Sequence, residues 1–127
     1  KTYFHEWSLE NLQKLALKSD LAIIPIDMDN PVTVGKPENK LLLFWRMGLP
    51  TLVSGTPAYI DVMKSAKQKY FVEDLSDWVS YIDELILSEN KRIKTANEGY
   101  AYFENNYSNK YFIKQWEFLL NSIGFSI

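Results

Sequence analysis

Three stretches of this sequence carry glycine, hydroxyl groups or charge where a ligand could bind: Asp27 to Asn39, Ser54 to Pro57 and Glu73 to Ser76. Each follows a short apolar run that reads as a strand. In open α/β sheets, ligands bind beyond the carboxyl ends of the strands. The first two stretches lead into predicted helix N-termini, whose unpaired N–H groups and positive dipole end attract a phosphate or diphosphate. Gly35, Gly55 and Thr56 allow backbone to come close to a ligand. Lys36, Glu38, Asn39 and Lys40 surround the first helix start, and Ser54 precedes the second. Lys40 stands out because the helix it opens is otherwise apolar. The plainer alternatives stay open: Gly35 and Gly55 as turn glycines, Lys36 as a solvated lysine, Glu38 as a complement to the helix dipole.

Other chemistries fit less well. His5 is the one histidine and there is no cysteine, so neither a Ser-His-Asp nor a Cys-His arrangement can be drawn. Asp27 and Asp29 share a loop and offer oxygens of the kind a divalent cation takes, but that spacing is common by chance. These residues leave the catalytic residues unidentified, and no metal site or cofactor is expected.

The elements that must position the three stretches can be read from periodicity. Thr2 to Phe4 is short and β-prone, and a strand is expected near 2–5. Ser8 can cap a helix carrying Leu9, Leu12, Leu15 and Ala16 on one face, ending near Asp20. Leu21 to Ile26 is a continuous apolar run, as in a parallel strand buried on both faces. Asp27 to Lys36 reads as an exposed loop. Pro37 suits the first turn of a helix. Leu41, Leu42, Phe44, Trp45 and Met47 bury that helix, and Gly48 stops it. Thr51 to Val53 is a strand, Thr56 and Pro57 open a helix to about Ala66, and Tyr70 to Val72 is a further strand.

Three helices close the chain: one capped by Ser76 and carrying Trp78, Val79, Ile82, Leu85 and Ile86, one from about Glu89 to Glu104, and one capped by Ser108. Trp78, Tyr100, Phe103, Tyr111 and Trp116 recur at helical spacing and read as core or interdomain packing. Strands alternating with helices imply a parallel sheet. Its strands are expected near 2–5, 20–26, 50–53 and 69–72, the last three adjacent in that order, with the helical tail packed against it. A doubly wound domain usually begins with a strand and a Gly-rich turn. The chain is therefore expected to be a fragment lacking the first βαβ unit of its domain.

Composition bounds the rest. The 127 residues make room for one domain, spanning 1–127. They are 46% hydrophobic and 24% charged, which supports a packed core. A net charge of -2 argues against nucleic-acid binding, which leaves a basic footprint. No apolar run approaches the roughly 20 residues of a membrane span. No signal segment opens the chain, so a cytoplasmic setting is expected.

The order of three motifs resembles the C-terminal half of GT-B glycosyltransferases, most closely the family-4-like group. These are Ser19-Asp20-Leu21-Ala22-Ile23-Ile24-Pro25, Glu38-Asn39-Lys40-Leu41-Leu42, and Met47-Gly48-Leu49-Pro50-Thr51-Leu52-Val53-Ser54. Asp74 to Leu87, Asn106-Tyr107-Ser108 and Trp116-Glu117-Phe118-Leu119 extend the likeness over nearly the whole chain. The resemblance implies a Rossmann-like α/β domain that binds a nucleotide-sugar donor. The parent would be a glycosyltransferase, with its N-terminal domain and acceptor site outside this chain. A role in cell-surface polysaccharide synthesis and peripheral membrane association of the parent would follow. Gly35 to Asn39 and the following helix start would face the donor, Lys40 would match a lysine common at that helix start, and Ser54 to Thr56 would lie beside the cleft.

One departure qualifies the likeness. The family commonly has two glutamates separated by seven residues here, the second holding the donor ribose. Their positions fall on Gly35 and Leu43. A leucine accepts no hydrogen bond, so either Glu38 takes that role, the donor binds differently, or the domain is a non-catalytic GT-B-like partner subunit. A receiver-like signalling domain fits less well: Asp27 mimics a phospho-accepting aspartate, but Glu73 stands where a basic residue is needed and no acidic pair follows the first strand.

Overall fold

The computed structural model describes residues 1–125. It is an α/β arrangement: a three-stranded, all-parallel sheet flanked by helices. The strands are β1 (Ala22–Ile24), β2 (Thr51–Ser54) and β3 (Phe71–Val72), in the spatial order β1-β2-β3 that the sequence predicts. Ile24 lies opposite Val53, and Val53 opposite Phe71. The helices are α1 (Leu9–Ala16), α2 (Pro31–Val34), α3 (Asn39–Arg46), α4 (Pro57–Ser65), α5 (Leu75–Leu87), α6 (Glu89–Tyr107) and α7 (Asn109–Ser122).

Alternation along β2 sends its side chains to two cores. Val53 joins Ile24 and buried residues of α3 and α4 (Leu41, Trp45, Tyr59 and Met63 among them) on one face. Leu52 joins Tyr70, Val72 and Leu85 on the other, where α5 covers them. α6 packs against both α3 and α5. That contact depends on Gly99, because a Cβ there would lie 2.6 Å from the buried Trp45 ring. Trp45 also meets Tyr102 edge-to-face, with centroids 5.7 Å apart.

Local capping explains most helix starts. Ser8, Thr56, Ser88 and Ser108 each accept a hydrogen bond from an N–H of the first turn that follows. Gly48 ends α3 with φ of 73°, and the N–H groups of Gly48 and Leu49 return to Trp45 and Phe44. That left-handed closure favours glycine.

Several expectations are corrected. Residues 2–5 form no strand, and Tyr3 and Phe4 are exposed. A β-prone stub without a neighbouring strand has nothing to pair with. The first helix stops at Ala16 rather than near Asp20. The apolar run from Leu21 to Ile26 yields three strand residues, and Ile23 is 50% exposed. Ile23 lies opposite Leu52, yet the layer containing α5 leaves it uncovered. The loop before α3 contains α2, capped by the Asn30 side chain. Pro37 precedes its helix, which begins at Asn39.

The helix after β3 starts two residues earlier than a Ser76 cap would allow. Asp74 is its N-cap, and the Asp74 N–H donates to Asp77 Oδ2 at 3.3 Å. α7 buries no residue and packs on α6 rather than on the sheet. Its Trp116 is exposed, and so is Tyr100 of α6, whereas Phe103 packs against the first core.

Candidate functional site

The carboxyl ends of the three strands are tied into one edge by backbone chemistry. Ser54 is buried, and its Oγ accepts the Ile26 N–H at 2.8 Å, joining the segment after β1 to the end of β2. The Gly55 N–H donates to the Val72 carbonyl at 2.7 Å, joining the segment after β2 to β3. A Cβ on Gly55 would lie 2.9 Å from that carbonyl oxygen, so the close approach requires glycine. Thr56 is buried and caps α4 by accepting the Tyr59 N–H. The polar groups of Ser54, Gly55 and Thr56 therefore hold the edge together.

The stretch before α3 is different in kind. Thr33 braces it: its hydroxyl donates to the carbonyls of Asp27 at 2.6 Å and Asn30 at 2.8 Å. Gly35 closes α2 with φ of -78°, an ordinary value, so no left-handed turn demands glycine there. Lys36, Asn39 and Lys40 are exposed. Glu38 is the N-cap of α3, but no side chain caps that helix, so its first-turn N–H groups lack the partner that Ser8, Thr56, Ser88 and Ser108 provide elsewhere.

The Glu38 carboxylate instead reaches α6, accepting the Tyr107 hydroxyl at 3.3 Å. Burial pushes the Tyr107 hydroxyl up to about 12, with further help from Tyr102 and Glu38. Burial also raises Tyr59, and the Glu38 charge adds to it. Tyr59 lies on the first turn of α4, so Glu38 links the starts of α3 and α4 electrostatically. Both phenols stay protonated at neutral pH, and that of Tyr107 donates to Glu38.

The candidate residues thus fall into two groups. Gly35, Lys36, Glu38, Asn39 and Lys40 surround an uncapped helix start. Ser54, Gly55 and Thr56 form the structural floor beside it. Tyr59 and Tyr107 complete the setting and were not singled out from sequence as site residues. Tyr107 stands 69 residues from Glu38, beyond any local pattern. Leu43, where the likeness calls for a glutamate, is 39% exposed on α3.

Other candidates carry less. His5 is exposed. Asp27 accepts the Asp29 N–H at 3.1 Å, a local turn, and no cluster of three or more metal-ligating side chains occurs among the described residues. Also among the described residues, no helix is long and apolar enough to cross a membrane. The sequence matches no protein-family model, no curated protein and no solved structure.

Proposed function

We propose that this chain is part of a Rossmann-like, nucleotide-sugar-binding domain of the GT-B glycosyltransferase type, and that the donor diphosphate sits at the start of α3. The observation that carries this reading is the uncapped N-terminus of α3 at the carboxyl edge of a parallel sheet. A helix end of this kind supplies N–H donors and a favourable field for an anion. Exposed Lys36 and Lys40 add charge beside it. Glu38, oriented by Tyr107, has acceptor capacity left for a ribose hydroxyl. The parent enzyme would pass the sugar to an acceptor held by a separate domain, in cell-surface polysaccharide synthesis at the cytoplasmic face of a membrane.

A charge-assisted contact contributes about 1.5–3 kcal/mol. Lys40→Ala in the full-length polypeptide is therefore expected to weaken donor binding roughly ten- to a hundredfold, measured by calorimetry with a panel of nucleotide-sugars. Equal donor affinity in wild type and variant removes Lys40 from the site. A second reading, a non-catalytic GT-B-like partner subunit, is favoured by the exposed Leu43 in place of a ribose-binding acid. Wild type that binds none of the panel supports that reading over the first.

A further inference from the structure

A cavity of about 240 Å³ lies at the amino end of β3, across the sheet from the edge just described. Its wall is the Lys67 to Tyr70 segment together with side chains of α5 and α6. It is smaller than the 300–1,000 Å³ typical of larger ligands, so it suits a small one.

Three features of this wall point to an anion that also brings a proton. First, the cavity gathers Lys67, Lys69, Lys91 and Lys94 against Glu84 and Glu98. Glu84 is already shared, at 2.8 Å by Lys69 and 3.0 Å by Lys91, and its Oε1 also accepts the Tyr70 hydroxyl. Glu98 is 3.8 Å from Lys94, a loose contact. Lys67 has no carboxylate within ion-pair distance among the described residues.

Second, Lys67 holds φ of 58° where the chain leaves α4. Its N–H returns to Lys64 and that of Gln68 to Met63, a closure in which glycine is the ordinary residue. The backbone gains nothing from a lysine there.

Third, Gln68 is 6% exposed. Its Nε2 donates to the Thr95 carbonyl at 2.9 Å, while its Oε1 is buried without a partner. An unpaired buried acceptor is costly and calls for a donor.

We propose that this cavity binds a phosphate group, either free or as a small monoester. The Lys67 and Lys94 ammonium groups pair with its anionic oxygens, and a protonated oxygen or neighbouring hydroxyl donates to Gln68 Oε1. This site is independent of the donor reading above and lies at the opposite end of the sheet.

Sulfate provides the discriminating comparison, because at neutral pH it has the charge of the hydrogen phosphate dianion but no proton to donate. Calorimetry on the 127-residue chain at pH 7 and fixed ionic strength compares inorganic phosphate, glycerol 1-phosphate and sulfate. Saturable phosphate binding at least tenfold tighter than sulfate is expected. Tighter binding of glycerol 1-phosphate assigns the site to a monoester; tighter binding of inorganic phosphate assigns it to the free ion.

Lys67→Gly is the key variant, since glycine suits the backbone and the chain should melt no lower than wild type. It is expected to lose about tenfold in phosphate affinity. Gln68→Met should bring the phosphate and sulfate affinities together. Absence of saturable binding, equal affinity for sulfate, or wild-type affinity in Lys67→Gly would each overturn the proposal.

Discussion

α3 and α7 are both rich in large apolar side chains, yet they stand at opposite extremes of burial. α3 places Leu41 and Trp45 out of reach of solvent, without a side-chain cap at its start. α7 has a well-formed cap in Ser108 and buries nothing; Phe112, Ile113, Trp116, Phe118 and Leu119 are all exposed. Capping decides where a helix begins, whereas burial decides how much it contributes to stability. α3 lies between the sheet and α6 and fills the space between them, while α7 packs chiefly on α6.

If that contrast holds, substitutions on the two helices will separate widely. Trp45→Ala is expected to cost about 3–5 kcal/mol, the range for emptying a large buried aromatic site. Chemical denaturation would measure it, and a cost below about 1 kcal/mol would mean that α3 is less firmly packed. Gly99→Ala probes the same contact from the other side. Alanine is the better helix former by roughly 1 kcal/mol, but its Cβ would collide with the Trp45 ring at 2.6 Å. Overpacking of this kind costs about 1–3 kcal/mol. Net destabilisation is expected, and a stabilised variant would show that α6 shifts freely.

A third test uses pH. The Tyr107 pKa rises in the folded chain, from 10.0 to about 12. Its contribution is thus complete below pH 10 and is lost as pH rises through about 12. Tyr107→Phe should flatten that part of the stability profile, read by denaturant titration at successive pH values. The smallest effect is expected on α7: Trp116→Gln should change stability by no more than about 0.5 kcal/mol. A larger loss would show that Trp116 is covered by another molecule in solution.

How legible these features were depended on the range of the interaction behind them. Ser8, Thr56 and Ser108 cap helices as their positions suggest, because a cap and its N–H partner lie within three residues. Gly48 was equally legible as a left-handed stop. The order of β1, β2 and β3 followed from apolar runs separated by helical segments. Failures occurred where the deciding partner is distant or missing. Tyr3 and Phe4 have strand character and no strand beside them. Ile23 belongs to an apolar run, but its exposure depends on where α5 lies. Ser76 and Asp74 are both plausible caps, and Asp77 decides between them by accepting the Asp74 N–H. At the candidate site, the charges around α3 could be read from sequence. The tie from Glu38 to Tyr107 could not, since it spans 69 positions and depends on how α6 packs on α3.

Ser108 is at once the C-cap of α6 and the N-cap of α7, with φ of -70° and ψ of 157°. No linker separates the two helices, so the torsions of one residue set the direction of everything beyond it. α7 has 14 residues, a rod of about 21 Å at 1.5 Å per residue. Turning such a rod by about 10° at its base carries its tip by nearly 4 Å, close to one side-chain layer. Ser108 is thus a fulcrum, and the apolar face of α7 is aimed by a pair of dihedral angles.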